Sequence, residues 1–304
     1  MSWNESKRKK CLLIFLVADI VLLLAFIVTC LPFNKKTSSQ STRTALLNVN
    51  KVPDIARITL SKADGEGNVQ SVVLSRVGSN AGSSFWTGRD TFTDTLWPAD
   101  NQSVANLLNT CSQIVSVRTA AETVDAWSSF GLDEESAFVL GFYDGAGGRI
   151  SEILFGDSDY LTSRIAFRTS TGNKVLQMDV SIASYLTLST SFWADPFVYP
   201  QAVTGYTRLD SESILRHGAL LSFSRAGHSP EYTFKKDFEN GASARFLIYK
   251  GEIESENPYI VVPVFVPGDY LGAEEKKSVE SFNYAYGMSQ WTLEKFSEEV
   301  QQQW

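Results

Sequence analysis

Cysteine and histidine, two residues that carry much nucleophilic and metal chemistry in proteins, are scarce in this sequence. Its 304 residues contain three cysteines and two histidines. Cys11 and Cys30 fall within one apolar run, so Cys111 is the only cysteine of the remaining chain. No disulfide can form within the residues that follow the run, which excludes a small disulfide-stapled scaffold. Cys111 lies in an apolar helical pattern and is predicted to be a packed thiol rather than a nucleophile.

Recognisable catalytic and metal-binding motifs are missing as well. His217 and His228 lie in or beside one predicted hairpin without the spacing of metal ligands, and the sequence has no Gly-x-Ser-x-Gly elbow. GAGG at 145–148 is predicted to be a turn, because a dinucleotide loop needs a helix after its glycines and a strand pattern follows here. GDSD at 156–159 lacks the other oxygen ligands of a calcium loop. We therefore predict a protein that is not an enzyme, with no catalytic residues, no metal site and no cofactor.

Basic residues are also fewer than acidic residues. The chain has 27 basic and 34 acidic residues, a net charge of −7. Residues 1–31 hold four basic and two acidic side chains, which leaves −9 for residues 32–304. Nucleic-acid binding needs clustered lysines and arginines, so a nucleic-acid partner is excluded. The apolar content of 43%, with seven Trp and 19 Phe, predicts a packed core rather than a disordered chain.

One long apolar run is present near the N-terminus. It covers 21 residues, 11–31, and Asp19 is its only charged residue. A helix needs roughly 20 apolar residues to cross a bilayer, and the core of a signal peptide is shorter. Residues 27–29 also lack the small-residue pattern of a cleavage site. We predict a transmembrane anchor at 11–31, with residues 1–10 in the cytoplasm because the four basic residues at 7–10 resist translocation.

Two residues of this run are predicted to have a function. In an alternative interpretation the chain is a bacterial lipoprotein with Cys30 as its lipidated N-terminus, although Thr29 is bulky for that motif. Both interpretations place the main domain outside the inner membrane. Asp19 at mid-membrane costs roughly 2.5–3.5 kcal/mol. Its apolar neighbours can compensate for that cost, but we favour the hypothesis that Asp19 pairs with another chain, either a second copy or a permease subunit.

Residues 32–52 form a predicted linker off the membrane, and hairpin patterns begin at residue 53. The strongest local signal is an amphipathic helix over residues 101–117, capped by Asp100. Its apolar stripe consists of Val104, Leu107, Leu108, Cys111, Ile114 and Val115. Around it we predict strands at 55–61, 69–77 and 83–89, hairpins turning at 144–148 and 171–173, and a closing helix at 181–192.

The final hundred residues give weaker patterns. We predict a strand pair at 214–227 and 231–238, further strands at 244–251 and 259–268, and a helix at 291–300. Because proline has no backbone N–H to donate, Pro263 and Pro267 predict that the strand at 259–268 is an edge strand or a loop. The complete prediction is an α+β fold: an N-terminal transmembrane helix, then mostly antiparallel hairpins with a few amphipathic helices packed on the sheet. Residues 53–198 form one unit and 199–304 a second α+β unit, which a weak internal similarity marks as a degenerate repeat.

Short motifs between residues 86 and 200 occur in a familiar order. Trp86, WPAD (97–100), a helix, FGLD (130–133) and LFGD (154–157) resemble the bacterial family named domain of unknown function 4340. Phe130 stands where that family has Tyr, and Phe155 where it has Ile. The resemblance implies a domain outside the cytoplasmic membrane on a single N-terminal helix, similar to auxiliary subunits of gliding-motility-type ABC transport systems.

These observations predict a non-enzymatic, membrane-anchored extracytoplasmic scaffold or binding domain. We expect it to be an accessory component of an ABC-type transport or envelope assembly system in the bacterial inner membrane. Its expected partners are the membrane and other envelope proteins such as an ABC permease, and a homo-oligomer is compatible with the sequence. Two alternatives stay open: a lipoprotein that binds a small ligand, and an envelope hydrolase without a recognisable motif.

Overall fold

The computed structural model describes residues 41–64, 66–78, 84–159, 161–205, 215–251 and 256–301. The strands in these residues form two antiparallel sheets, one of ten strands and one of five. The predicted anchor at 11–31, with Asp19 and Cys30, lies outside the described residues. Within the described ranges, no helix combines the length and the apolar character needed to cross a membrane.

The larger sheet, sheet 1, contains every strand from residue 42 to residue 179. Its strands are β1 (Thr42–Thr44), β2 (Ile55–Ala63), β3 (Val69–Val77), β4 (Phe85–Asp90), β5 (Thr95–Pro98), β6 (Val115–Ala121), β7 (Phe138–Asp144), β8 (Arg149–Asp159), β9 (Arg164–Thr169) and β10 (Val175–Asp179). Their spatial order is β1-β6-β10-β9-β8-β7-β2-β3-β4-β5. Side chains alternate between two faces along each strand, so Ile58 and Leu60 are fully buried while Thr59 and Ser61 lie on the opposite face.

Local turn chemistry sets the hairpins of sheet 1. In the β7–β8 turn, the Asp144 carboxylate accepts the N–H groups of Ala146 (3.0 Å) and Gly148 (2.7 Å). Gly147 adopts a φ of +84°, which glycine reaches without steric cost. The prediction of a turn at GAGG is confirmed, and the strand that follows it rules out a phosphate loop there.

The helix predicted after Asp100 forms, but it is shorter than expected. Helix α1 (Asn101–Ser112) begins at Asp100, whose side chain accepts the Gln102 N–H. The stripe is buried as far as Cys111, whereas Ile114 is 65% exposed. The chain turns extended at Gln113, and the β-branched residues beyond it enter β6. Pairing of β6 with both β1 and β10 outweighs the helical periodicity.

The smaller sheet, sheet 2, follows in the last third of the chain. Its strands are β11 (Leu220–Leu221), β12 (Tyr232–Asp237), β13 (Ser243–Lys250), β14 (Tyr259–Val266) and β15 (Ala285–Met288), in the order β11-β15-β14-β13-β12. The remaining helices are α2 (Thr190–Trp193), α3 (Gln201–Thr204), α4 (Ala273–Glu280) and α5 (Gln290–Gln301). Short 3-10 helices occupy Val49–Asp54, Val124–Ala126, Ser128–Phe130 and Val180–Tyr185. Phe296 of α5 packs edge-on against Phe246 of β13 and Phe234 of β12.

The two sheets meet where the outer edge of β5 would otherwise be exposed. Asn283 donates its backbone N–H to the Leu96 carbonyl (3.1 Å) and accepts the Leu96 N–H on its side chain. The Asp195 N–H is donated to the Pro98 carbonyl (2.9 Å). A single hydrophobic cluster continues from sheet 1 through this junction into sheet 2. The edge strand is thereby covered, which removes a template for aggregation.

The predicted fold class was wrong in its balance of elements. The described residues are mostly antiparallel β-sheet in two sheets rather than an α+β mixture, and no transmembrane helix is found among them. The helix predicted at 181–192 is replaced by the 3-10 helix Val180–Tyr185 and the single turn α2. The length of this helix was predicted from the spacing of apolar residues alone. Short 3-10 helices and single helical turns can show the same spacing, so the predicted helix was too long.

Strand pairing in the last third also differs from the prediction. Among the described residues of the segment at 214–227, only β11 is a strand, and it pairs with β15 rather than with β12. A strand forms in the segment predicted at 259–268 (β14), but it lies in the middle of sheet 2 rather than at an edge or in a loop. Only residues 259–261 of β14 pair with β15, so Pro263 lies where β13 is the sole neighbour and loses no bond on the other side. The division of the chain at residue 198 stays a prediction.

Candidate functional site

Two residues with a predicted function, Asp19 and Cys30, lie outside the described residues. Pairing of Asp19 in the membrane and lipidation of Cys30 therefore stay predictions. Cys111 is fully buried, and burial raises its pKa to about 12. Its thiolate is inaccessible at neutral pH, which confirms the interpretation as a packed thiol.

His217 has a structural position between the sheets. Its ring stacks on Tyr286 with a centroid distance of 4.4 Å, and its two nitrogens lie 2.7 Å from the carbonyl oxygens of Gly218 and Asp195. Burial lowers the pKa of His217 below its ordinary value of 6.5, although the two carbonyls oppose that shift. The neutral ring donates from one nitrogen only. Because the unfolded chain binds the proton more readily, the His217 contribution to stability is present at pH values above about 6.5 and is lost on acidification.

His228 lies elsewhere, with its ring 5.5 Å from that of Phe223. In the GDSD segment, Asp159 accepts hydrogen bonds from the Leu161 N–H (3.0 Å) and the Thr162 hydroxyl (2.6 Å). The hydroxyl bond is the main reason that the pKa of Asp159 is lowered. This carboxylate therefore builds the β8–β9 turn. No group of three or more His, Cys, Asp or Glu side chains within the described ranges is arranged to hold a metal ion.

The motifs FGLD and LFGD contact each other in the structure. Gly131 adopts a left-handed φ of +63°, and a Cβ there would lie 2.8 Å from the Asp157 carboxylate. A Cβ at Gly156 would overlap the Phe130 carbonyl oxygen and lie 3.0 Å from the Gly131 carbonyl carbon. The two motifs clamp the turn after residue 130 onto β8, so their glycines serve packing rather than ligand binding.

Two cavities border the junction of the sheets. The first, the junction cavity, has a volume of about 270 Å³, and its lining includes Asn101, Gln201, Asn240 and Tyr270. These side chains already bond to the protein. Asn101 donates to the Gln201 side chain (3.1 Å), Asn240 donates to the Thr204 carbonyl (2.6 Å) and Tyr270 donates to the Val203 carbonyl (3.0 Å). Because these groups already stabilise the junction, they are poor candidates for ligand contacts.

The second cavity, the β5–β11 cavity, has a volume of about 210 Å³. It is lined by residues from the β4–β5 hairpin, helix α2 and strand β11: Asp90, Thr93, Thr95, Trp97, Thr190, Leu220, Leu221 and Ser222. Trp97 is completely buried and packs over Gly88, where a Cβ would lie 2.5 Å from the indole nitrogen. Glycine at this position is therefore needed to hold the indole against the sheet beside the cavity.

Three polar groups of the β5–β11 cavity form no hydrogen bond with the described residues, whereas Thr95 donates to the Thr93 hydroxyl at 2.8 Å. Asp90 accepts the Phe92 N–H on Oδ1 (2.8 Å), and its Oδ2 accepts no hydrogen bond from the described residues. The hydroxyls of Thr190 and Ser222 likewise form no hydrogen bond with any part of the chain that the structure describes. Phe92 follows Asp90 at the hairpin tip and is 84% exposed, and Leu221 on the opposite wall is 38% exposed. The cavity thus combines unpaired polar groups, which can orient a ligand, with the apolar side chains of Leu220 and Leu221.

Comparison with known proteins leaves the site to be interpreted by its chemistry alone. No family model, no curated protein and no solved structure matches the chain. The resemblance of residues 86–200 to the domain of unknown function 4340 stays a prediction from sequence motifs.

Sequence reasoning missed the β5–β11 cavity. Its residues come from three segments, near positions 90–97, 190 and 220–222, which no local pattern connects. One signal was present in the sequence: Phe92 interrupts the polar stretch RDTFTDT, where a turn normally has no use for a large apolar side chain.

Proposed function

We propose that this protein is a non-enzymatic binding or scaffold domain of the bacterial envelope that engages its partner at the β5–β11 cavity. The apolar run at 11–31 holds it at the inner membrane, with the main domain outside the cytoplasm. The partner is another envelope protein, such as the permease of an ABC-type transport or assembly system. One observation carries the proposal: Asp90 Oδ2 and the hydroxyls of Thr190 and Ser222 in the β5–β11 cavity form no hydrogen bond with the described residues, whereas Asn101, Asn240 and Tyr270 of the junction cavity are bonded to the protein.

Hydrogen-bond energetics are compatible with this choice. Asp90 and Thr190 are only partly buried and Ser222 is exposed, so a ligand that bonds to one of them exchanges water for a hydrogen bond worth about 0.5–1.5 kcal/mol net. A cavity of about 210 Å³ has the size of one side chain or one small molecule. The exposed Phe92 beside it gives a partner an apolar surface that a monomer has no need to expose.

Two sequence features support the membrane location: the 21-residue apolar run and the basic residues before it. The resemblance to the domain of unknown function 4340 supports the transport association. Asp19 supports a partner with its own membrane helix, because a single span has no second helix to satisfy a mid-membrane carboxylate.

Site-specific photo-crosslinking tests the proposal. A photoreactive amino acid replaces Phe92 in the full-length protein in its native membrane, and a matched variant carries it at Leu161. Leu161 is 98% exposed on the β8–β9 turn, far along the sheet order from β4. We expect an adduct of defined mass with an envelope protein from position 92 only, and its loss when Thr190→Trp fills the cavity of a folded protein.

Equal adducts from positions 92 and 161, or none from position 92, would overturn the proposed binding site. An adduct with a lipid or a small molecule at position 92 would favour the lipoprotein alternative over a protein partner.

A further inference from the structure

We propose that the β5–β11 cavity receives a cationic side chain, lysine or arginine, from the partner protein. This inference rests on the proposed function, and it specifies the chemistry of the group that is bound. Its basis is a carboxylate and two hydroxyls that line a cavity of side-chain size above the buried Trp97.

Asp90 is the only charged residue that lines the cavity, and it lacks a counter-ion among the described residues. The neighbouring Arg89 lies on the other face of β4 and pairs with Asp94 at 3.0 Å. The strand alternation therefore directs the side chain of the adjacent Arg89 away from that of Asp90. A half-buried carboxylate without a cation is stabilised when a ligand supplies one.

A donor ligand can bond to all three free groups of the cavity, because the Asp90 carboxylate only accepts hydrogen bonds and the hydroxyls of Thr190 and Ser222 accept as well as donate. An ammonium or guanidinium group donates hydrogen bonds and accepts none. Asp90 Oδ2 and the hydroxyl oxygens of Thr190 and Ser222 are free acceptors among the described residues. The Trp97 indole N–H is buried against Gly88 and has no exposed surface, so it offers nothing to an anionic ligand. An anion would meet the Asp90 charge without an N–H donor to compensate for it.

The rim fits the aliphatic part of such a side chain. Leu220 and Leu221 line one side, and the exposed Phe92 lies in the hairpin between Asp90 and Thr93, which line the other side. Lysine and arginine bury their methylene stems along apolar surface while the charged head reaches a polar group. The net charge of −9 over residues 32–304 also attracts basic partners over a longer range.

The experiment uses the full-length protein in detergent micelles with ¹⁵N-labelled tryptophan indoles. The seven tryptophans give a simple spectrum, in which the Trp97 signal is assigned by its loss in Trp97→Phe. The probes are N-acetyl-lysine N-methylamide, its neutral analogue N-acetyl-norleucine N-methylamide and its acidic counterpart N-acetyl-glutamate N-methylamide. We expect the lysine probe to shift the Trp97 signal saturably, with an affinity about tenfold above that of the norleucine probe, as for one charge-assisted hydrogen bond.

Two carboxylate variants on the same hairpin separate the charge effect from folding. Asp90→Asn should lower the affinity for the lysine probe about tenfold and leave the norleucine probe unaffected. Asp94→Asn, which removes the surface pair with Arg89, should change neither affinity. All seven indole signals should keep their positions in the unliganded variants if the fold is intact.

Equal affinities for the lysine and norleucine probes, or stronger binding of the glutamate probe, would overturn the inference. If the crosslink at position 92 persists while the lysine probe causes no shift, the proposed function stands and the cationic ligand is wrong. If the crosslink and every probe shift are absent, the proposed function fails as well. A crosslink that Asp90→Asn weakens and Asp94→Asn preserves would support a protein side chain as the source of the cation.

Discussion

Replacing Gly156 by alanine tests whether the FGLD and LFGD motifs clamp a turn or serve a ligand. The new Cβ would overlap the Phe130 carbonyl oxygen and lie 3.0 Å from the Gly131 carbonyl carbon. Both neighbours are backbone atoms of one tight turn, so neither can rotate away as a side chain would. Gly131 is already in the left-handed region, with a φ of +63°, which limits how far the turn can adjust.

The magnitude follows from two opposing effects. Overpacking at a well-packed site costs about 1–3 kcal/mol, and a backbone contact places this change at the upper end. The smaller entropy of the unfolded alanine chain offsets about 0.4–1 kcal/mol of that cost. We therefore expect the free energy of unfolding to fall by about 2 kcal/mol in Gly156→Ala. The matched control is Gly145→Ala, whose nearest neighbour would be Ala56 Cβ at 3.9 Å, so the entropy effect should act alone.

Urea unfolding of the full-length protein, followed by tryptophan fluorescence, measures both variants. Gly156→Ala should move the midpoint to lower urea with an unchanged slope, and Gly145→Ala should hold or slightly raise it. If the two alanine variants unfold at the same midpoint, the motifs are not in the contact described above. A loss of partner binding in a fully stable Gly156→Ala would assign the motifs to recognition instead.

Four further predictions concern the core, the pH response and the membrane. Leu108→Asp should lower the free energy of unfolding by at least about 3 kcal/mol in urea titrations, because it buries an unpaired charge; unchanged stability would refute the packing of α1. Acidification from pH 7.5 to 5.5 should lower the melting temperature in a manner that His217→Gln abolishes and His228→Gln preserves, whereas a rise on acidification would show a charged ring between the two carbonyls. Leu161→Cys should react with an impermeant maleimide on intact spheroplasts, and labelling only after lysis would reverse the proposed topology. Asp19→Leu should release co-purifying membrane subunits, and their retention would leave this carboxylate as a tolerated residue.

Hairpins were the features that the sequence predicted best, because their signals are local. The β2–β3 and β7–β8 hairpins follow from alternating apolar residues around short turns rich in glycine and aspartate. At the second turn, Asp144 and Gly147 supply the side-chain acceptor and the positive φ that the backbone needs. Asp100 was likewise correctly predicted as the cap of α1. In each case the deciding atoms lie within four residues of one another.

Features that depend on distant residues were not predictable in the same way. Ile114 and Val115 continue the apolar spacing of α1, and only the partners β1 and β10 make this segment a strand. The two residues of β11 pair with β15, more than sixty positions later. The β5–β11 cavity depends on that pairing, since Leu220 and Leu221 form its wall. A single sequence holds no signal for which distant strands meet.

The position of the candidate site follows from the way in which the edge of sheet 1 is closed. Asn283 covers β5 at Leu96, and Asp195 covers it at Pro98, so the edge that remains near the β4–β5 tip is short. The nearest strand of sheet 2 in the cavity is β11, which has only two residues. The cavity lies between β11 and the β4–β5 hairpin because so short a strand does not fill that space. Neither sheet alone has both walls. A binding function at this gap therefore requires the second sheet, although the sequence motifs that resemble a known family all lie in the first.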